Sequence, residues 1–393
     1  TYINNIKVRK IKDKNEIQVT GLPQNPKISN ISWSPDEKKI AFTHTTATGV
    51  ELYVLDMASA KATKLTDANL NANMGSPFSW YRDNQSLLVK MLPKNRPALI
   101  DAKKDLPTGP TVSSSDGKKS SNRTYQDLLK NKTDETNFET LVTSELYKLD
   151  LNGKATLYKK AALYAGEGFS PDGNYILITT IQKPYSYIVP LSRFPMTSVV
   201  YDLSGKEVKV VNEIALAEIM PKGFMATRTG KRSMNWRADL PATLSFAEAL
   251  DGGDPANAVE FRDEVFLWNA PFTSNPTSLA KTKQRYAGIV WGNVTTAILY
   301  DQWYDTRNEK TYLINPSNPG QAPKVIFDRN SQDIYSDPGS FETVKNQYGR
   351  QVLALENGNA FLIGQGHTKE GQFPFIDEFN MKTLKAKSLY QST

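Results

Sequence analysis

Ser170 comes closest to a catalytic setting. It sits in Gly168-Phe169-Ser170-Pro171-Asp172, which shares a glycine and a serine with the G-x-S-x-G elbow that exposes a nucleophile, but Asp172 stands where the closing glycine belongs. A proline and an aspartate after the serine build a tight turn instead, since Pro171 fixes its own φ and Asp172 can bond the nearby backbone. Ser170 therefore reads as a turn residue between two strands. Bases are scarce, with His44 inside a strand pattern and His367 in the loop-like GQGHTKEG. Two imidazoles so placed cannot supply a multi-histidine metal site. The DGGDP at 251–255 lacks calcium-loop spacing, and neither a P-loop nor a complete G-x-G-x-x-G occurs. The expectation is a chain with no catalytic residue, metal ligand or cofactor of its own, and so without a self-sufficient active site.

The turns around such residues repeat. ISWSPDEKKIAF, residues 31–42, reads as strand, Pro-Asp turn and returning strand, and the same grammar recurs in GFSPDGNYILI at 168–178. After the first copy, VELYVLDMASAKATKLT supplies a third strand, a turn and a fourth, giving four short antiparallel strands in one unit of propeller-blade size. A second unit opens at Phe78 and resumes at Ser144; the third opens at Gly168 and finishes from Thr197. A fourth uses MNWRADLPATLSFAEA and DEVFLWNAPF, and a fifth AGIVWGNVTTAILYDQ and KTYLINPSNPG. The sixth uses RQVLALENGNAFLIGQG and PFIDEFNMKTLKAKSLY. A blade cannot bury both faces alone, so blades stack against one another. The expected fold is all-β, a β-propeller of four-stranded antiparallel blades with six clear units. A partial or closing seventh is expected beside them: either residues 6–22 supply strands to another blade, or the closing blade is partly truncated.

One propeller domain over 1–393 is expected, interrupted at about 93–143 and 214–231, with a short helix at 124–131. Loops of this length inside a compact domain are commonly functional. Cysteine is absent from the 393 residues, so disulfide and thiolate chemistry are excluded. The net charge of +7 is dispersed among acids and forms no nucleic-acid arm. No apolar run approaches the length of a membrane-spanning helix.

Four stretches are more specific than the repeat: RTYQDLLKNKTDETNFE from Arg123, YSYIVPLSRFP from Tyr185, WRADLPATLSFAEALDGGDP from Trp236 and RDEVFLWNAPF from Arg262. Together they resemble the N-terminal propeller of the prolyl oligopeptidase family, in its glutamyl endopeptidase-like, acylaminoacyl-peptidase-like branch. The resemblance implies a propeller that screens and positions short peptides for a C-terminal α/β-hydrolase domain carrying Ser, Asp and His. That catalytic domain is expected outside this chain, which ends at SLYQST. The implied partners are a peptide substrate and the hydrolase domain, with no nucleic acid and no membrane span. Glutamyl-type specificity would need a cation for the substrate carboxylate, and the planar fork of arginine suits it. The candidates are Arg193 in SRFP and Arg228, Arg232 and Arg237 around the second insertion; pairing with Asp239, Asp251 or Asp254 is the structural alternative. The alternative function is a stand-alone propeller that scaffolds a protein partner in the periplasm. A periplasmic or otherwise extracytoplasmic setting is expected, compatible with the missing cysteines.

Overall fold

The computed structural model describes residues 2–12, 15–101 and 125–393. They fall into two compact units. The first runs to Glu218 apart from the turn Ser170–Asn174; the second holds that turn and Ile219–Thr393.

The first unit opens with a hairpin, β1 (Lys7–Arg9) and β2 (Glu16–Gln18), followed by a four-stranded antiparallel sheet of β3 (Ile28–Trp33), β4 (Lys39–Thr45), β5 (Val50–Asp56) and β6 (Lys61–Lys64). A seven-stranded sheet then runs in sequence order: β7 (Phe78–Trp80), β8 (Ser86–Met91), β9 (Thr143–Asp150), β10 (Ala155–Phe169), β11 (Tyr175–Ile181), β12 (Met196–Asp202) and β13 (Glu207–Ile214). These are two blades joined by one strand. The first part of β10 pairs with β9 up to Leu163, and the rest pairs with β11 from Tyr164 onward.

The second unit contains three sheets. One is β14 (Arg232–Trp236) to β15 (Thr243–Ala249), β16 (Asp263–Asn269) and β17 (Thr277–Thr282). The next is β18 (Arg285–Asn293), β19 (Thr296–Trp303), β20 (Asn308–Ile314) and β21 (Lys324–Asn330). The last takes β22 (Ser340–Phe341) and, after the hairpin β23 (Thr343–Lys345) and β24 (Gln351–Leu353), continues with β25 (Asn359–Gly364), β26 (Phe375–Asn380) and β27 (Lys385–Gln391). The fold is all-β, built of four-stranded antiparallel propeller blades.

The cores lie between consecutive sheets. Leu52 and Val54 of β5 pack with Trp80, Leu87 and Leu149 of the next blade, and Trp80 Nε1 donates to the Ser32 carbonyl at 3.2 Å. Leu88 and Leu146 meet Phe169 and Ile178. In the second unit Val265 and Leu279 meet Trp291 and Leu299, and Ile298 meets Leu362 and Phe379.

Two sequence expectations need correction. The helix is α1 (Lys132–Val142), not 124–131; Thr124 lies outside the described residues, and 125–131 are irregular. Asn131 sets the start, its side chain accepting the Asp134 N–H at 2.8 Å while Asp134 accepts the Lys130 N–H at 3.0 Å. The sixth blade begins at β22, because residues 351–353 fold back on β23 around a turn in which Asn346 Oδ1 accepts the N–H of Tyr348 and of Arg350. Residues 6–22 supply a two-stranded hairpin, a partial further unit, whose Val8 and Val19 pack on Phe42 and Leu55 of the first blade.

Leu52 is fully buried between two blades. Leu52→Ala is expected to cost about 2–5 kcal/mol through lost burial and a residual cavity, measurable as a lower urea midpoint at unchanged m-value.

Candidate functional site

In the first unit, the connection between β11 and β12 carries YSYIVPLSRFP. Tyr185 and Phe194 stack at 5.5 Å between ring centroids, and Phe138 of α1 stands edge-on to both. Val142, Ile181 and Val189 close this cluster. Arg193 ends a single 3-10 turn, Leu191–Arg193, its N–H donating to the Pro190 carbonyl at 2.9 Å and its own carbonyl accepting Ala217 N–H at 3.0 Å. The backbone is fixed at both ends, so the half-buried guanidinium has a defined position. It lies over the Tyr125 ring, Cζ at 5.2 Å from the centroid. Two of the four stretches noted in the sequence, the one from Arg123 and the one from Tyr185, thus meet in space.

The acids of α1 are already engaged. Glu135 accepts from Lys132 at 2.6 Å and from the Tyr187 hydroxyl at 2.8 Å, and these bonds hold its carboxyl below the usual range. Glu139 pairs with Lys183 at 2.5 Å. Among the described residues, Arg193 has no carboxylate partner, and the buried Tyr125 hydroxyl has no hydrogen-bond partner.

The other three arginines lie in the second unit. Arg237 is buried and bound through both ends of its fork to Asp239, at 2.7 and 2.8 Å, with its face on Trp291 at 4.6 Å. Arg232 pairs with Asp263, which is wholly buried. Arg228 follows Thr227, whose N–H donates to the Gly253 carbonyl at 3.0 Å. Gly253 has φ +78°, and a Cβ there would stand 2.0 Å from the Thr227 carbonyl oxygen, so this loop approach requires glycine.

The alternative of structural pairing thus describes Arg237 with Asp239, while the partner of Arg232 is Asp263 rather than Asp251. Asp251 is the centre of a network absent from the sequence reading. It accepts from Arg262 at 3.0 Å, from Arg285 at 2.7 Å and from the Gly253 N–H at 2.9 Å. Arg285 reaches Asp263 at 3.1 Å and donates through Nε to the Met225 carbonyl at 2.7 Å, which ties the 214–231 segment to the blade. Asp263 also accepts the Tyr286 N–H at 2.6 Å. Burial opposes ionisation of Asp251, but Arg285 and Arg262 outweigh it and hold the carboxyl below its ordinary value. The one sequence signal was the pairing of acids with closely spaced arginines in EALDGGDP and RDEVF; Arg285 lies 34 residues from Asp251.

The residues screened for chemistry take structural places. Ser170 Oγ donates to Asp172 Oδ1 at 2.5 Å and Gly173 N–H to the Ser170 carbonyl at 2.9 Å, a closed turn. His44 is buried in β4, its Nδ1 accepting the Lys27 N–H at 3.1 Å. His367 lies beside Gln372 in a short loop bridge.

No family model matches the chain. It is 36% identical over 394 residues to a probable chloroplastic glutamyl endopeptidase of Oryza sativa subsp. japonica, covering 95% of this chain and 41% of that protein. A protein of the same description from Arabidopsis thaliana is 36% identical over 395 residues, covering 96% and 41%. Over nearly its whole length the chain is thus similar to proteins described as glutamyl endopeptidases. It spans about two-fifths of the length of these curated relatives. Among solved structures, the β-propeller domain of the Trilobed protease from Pyrococcus furiosus aligns over 92% of this chain and 81% of its own, with 9% identity and a TM-score of 0.39. Among the described residues, no helix is long and apolar enough to cross a membrane.

Asp251→Asn removes the charge that Arg262 and Arg285 share and leaves both cations partly uncompensated, at an expected cost of about 3–5 kcal/mol near neutral pH. A folded-state carboxyl below its unfolded value contributes stability above that value and loses it as pH falls through the folded pKa. The gap between wild type and variant in urea titrations should therefore be widest near pH 6–7 and narrow below pH 3.8, the ordinary value.

Proposed function

We propose that this chain gates and positions short peptides for a serine oligopeptidase whose α/β-hydrolase domain lies elsewhere in the same protein, and that Arg193 binds an acidic side chain of the substrate. Arg193 carries the reading. It is a half-buried guanidinium on a fixed turn, resting on Tyr125 and without a carboxylate among the described residues. A desolvated arginine gains most from an incoming carboxylate, because the cost of removing its water is already met and the fork accepts both oxygens. The relatives bear the name glutamyl endopeptidase, which matches that preference.

Within the second unit, Arg228 is a candidate peptide contact in its own right, carried on the loop that Gly253 and Arg285 anchor. Arg232 and Arg237 brace a strand of the second unit, their own charges being engaged with Asp263 and Asp239. Selection by size would spare folded proteins and admit short flexible chains. The setting is extracytoplasmic, in keeping with a chain that has no thiol to protect.

Fluorescence anisotropy with a labelled glutamate-containing oligopeptide and its glutamine counterpart tests the role of Arg193. Arg193→Gln is expected to weaken the glutamate peptide about tenfold, the scale of one charge-assisted bond, and to leave the glutamine peptide unchanged. Equal losses for both peptides, or none, would overturn it. The chain alone is expected to resist a serine-directed fluorophosphonate probe; stoichiometric labelling of one serine would locate a catalytic centre here.

A further inference from the structure

Within the first unit, β10 leaves one blade for the next, and a groove of about 520 Å³ opens along its middle. Its apolar wall is formed by Tyr164, Ile178 and Val199, and its charged lining by Lys159 and Lys160, with no carboxylate among the lining residues. The volume lies within the range of small-molecule sites.

Lys159 is the organised cation of the pair. Its ammonium stands 3.7 Å from the centroid of the Tyr201 ring and donates to the Gly205 carbonyl at 3.2 Å. An ammonium has three N–H groups, and the partners among the described residues take one of them by hydrogen bonding. Two tyrosine hydroxyls of the lining are committed elsewhere: Tyr158 donates to the Asp202 carbonyl at 2.7 Å and Tyr164 to the Lys160 carbonyl at 2.5 Å. Burial pushes the Lys159 pKa below that of an ordinary lysine, against an opposite pull from the exposed Glu207. The charged form thus pays for desolvation without a carboxylate in contact, and an anion seated in the groove would relieve it.

The geometry points to this groove as a binding site for a small amphipathic anion, an apolar body bearing one carboxylate or sulfonate, with Lys159 as the anchor of the acid group. Two cations and no anion on the lining select the charge sign. Tyr164, Ile178 and Val199 select the apolar body. The site is separate from the Arg193 turn and independent of the peptidase reading.

The probe is 8-anilinonaphthalene-1-sulfonate, titrated by fluorescence into the whole chain. One saturable site is expected in the wild type. Lys159→Met keeps the length of the stem but removes the charge and should weaken binding at least tenfold, and Ala161→Trp should block the groove to a similar degree. Saturating dye should also protect Lys159 from acetylation by limiting acetyl N-hydroxysuccinimide ester, read by peptide mass spectrometry on unmutated protein. In that labelling the amine nitrogen attacks the ester carbonyl, forming an amide and releasing N-hydroxysuccinimide and a proton. Non-saturable binding, unchanged affinity in Lys159→Met, or acetylation of Lys159 indifferent to the dye would each overturn the assignment.

Discussion

The first two blades depend on their middle strands being buried on both faces. An antiparallel sheet commonly keeps one face wet and shows alternating burial. Here β4 and β5 each carry five consecutive buried residues, and all six residues of β8 are buried. Such a sheet is dry only if something packs on each side. For the first blade, Leu52 and Val54 face the next blade while Phe42 and Leu55 face the N-terminal hairpin. The outer strands escape the requirement: β27 is exposed along its whole length. Stacking is therefore a consequence of where the apolar residues are written, middle strands first.

That constraint also decides where polar chemistry can reside. A charge within such a stack must bring its partners with it, and the Asp251 and Asp263 cluster does so with three arginines, two backbone N–H groups and a loop carbonyl. Lys90 and Glu167, both nearly inaccessible, pair at 3.2 Å, with Lys90 also donating to the Met74 carbonyl at 2.6 Å. Burial leaves the Glu167 carboxyl above its ordinary value in spite of Lys90. These groups fix loops onto strands. Segments beyond the strand ends are free of that demand, and the guanidinium of Arg193, without a carboxylate partner among the described residues, occurs there.

Blade order and turns were legible because their causes are local. Ser34 and Asp36 bond at 2.6 Å, Ser170 and Asp172 at 2.5 Å, both within a turn whose residues are adjacent in sequence. Asn131 as a cap was equally local, yet the helical pattern of TYQDLLKN overshadowed it. The doubling of β10 was not legible, since one uninterrupted strand serving two blades has the same residue pattern as two strands with a missed turn. Of the site, the arginines were found as types and positions, but their partners come from tertiary folding. Arg237 and Asp239 are two residues apart and were foreseeable; Arg285 and Asp251 were brought together by the return of a later blade.

Net charge is a poor guide to the anion recognition proposed for Arg193 and Lys159. The excess of +7 arises from 48 basic and 41 acidic residues, most of them solvated or paired. Exposed lysines gain little from one more anion, because water and salt already screen them. Paired buried arginines gain nothing unless their partner is displaced. What distinguishes Arg193 and Lys159 is partial desolvation on an aromatic face, Tyr125 for one and Tyr201 for the other, without a contacting carboxylate among the described residues. An aromatic ring offers a cation some compensation while leaving its hydrogen-bond donors available. Cations held this way are oriented and keep donors available, the condition under which a specific anion is preferred over bulk salt.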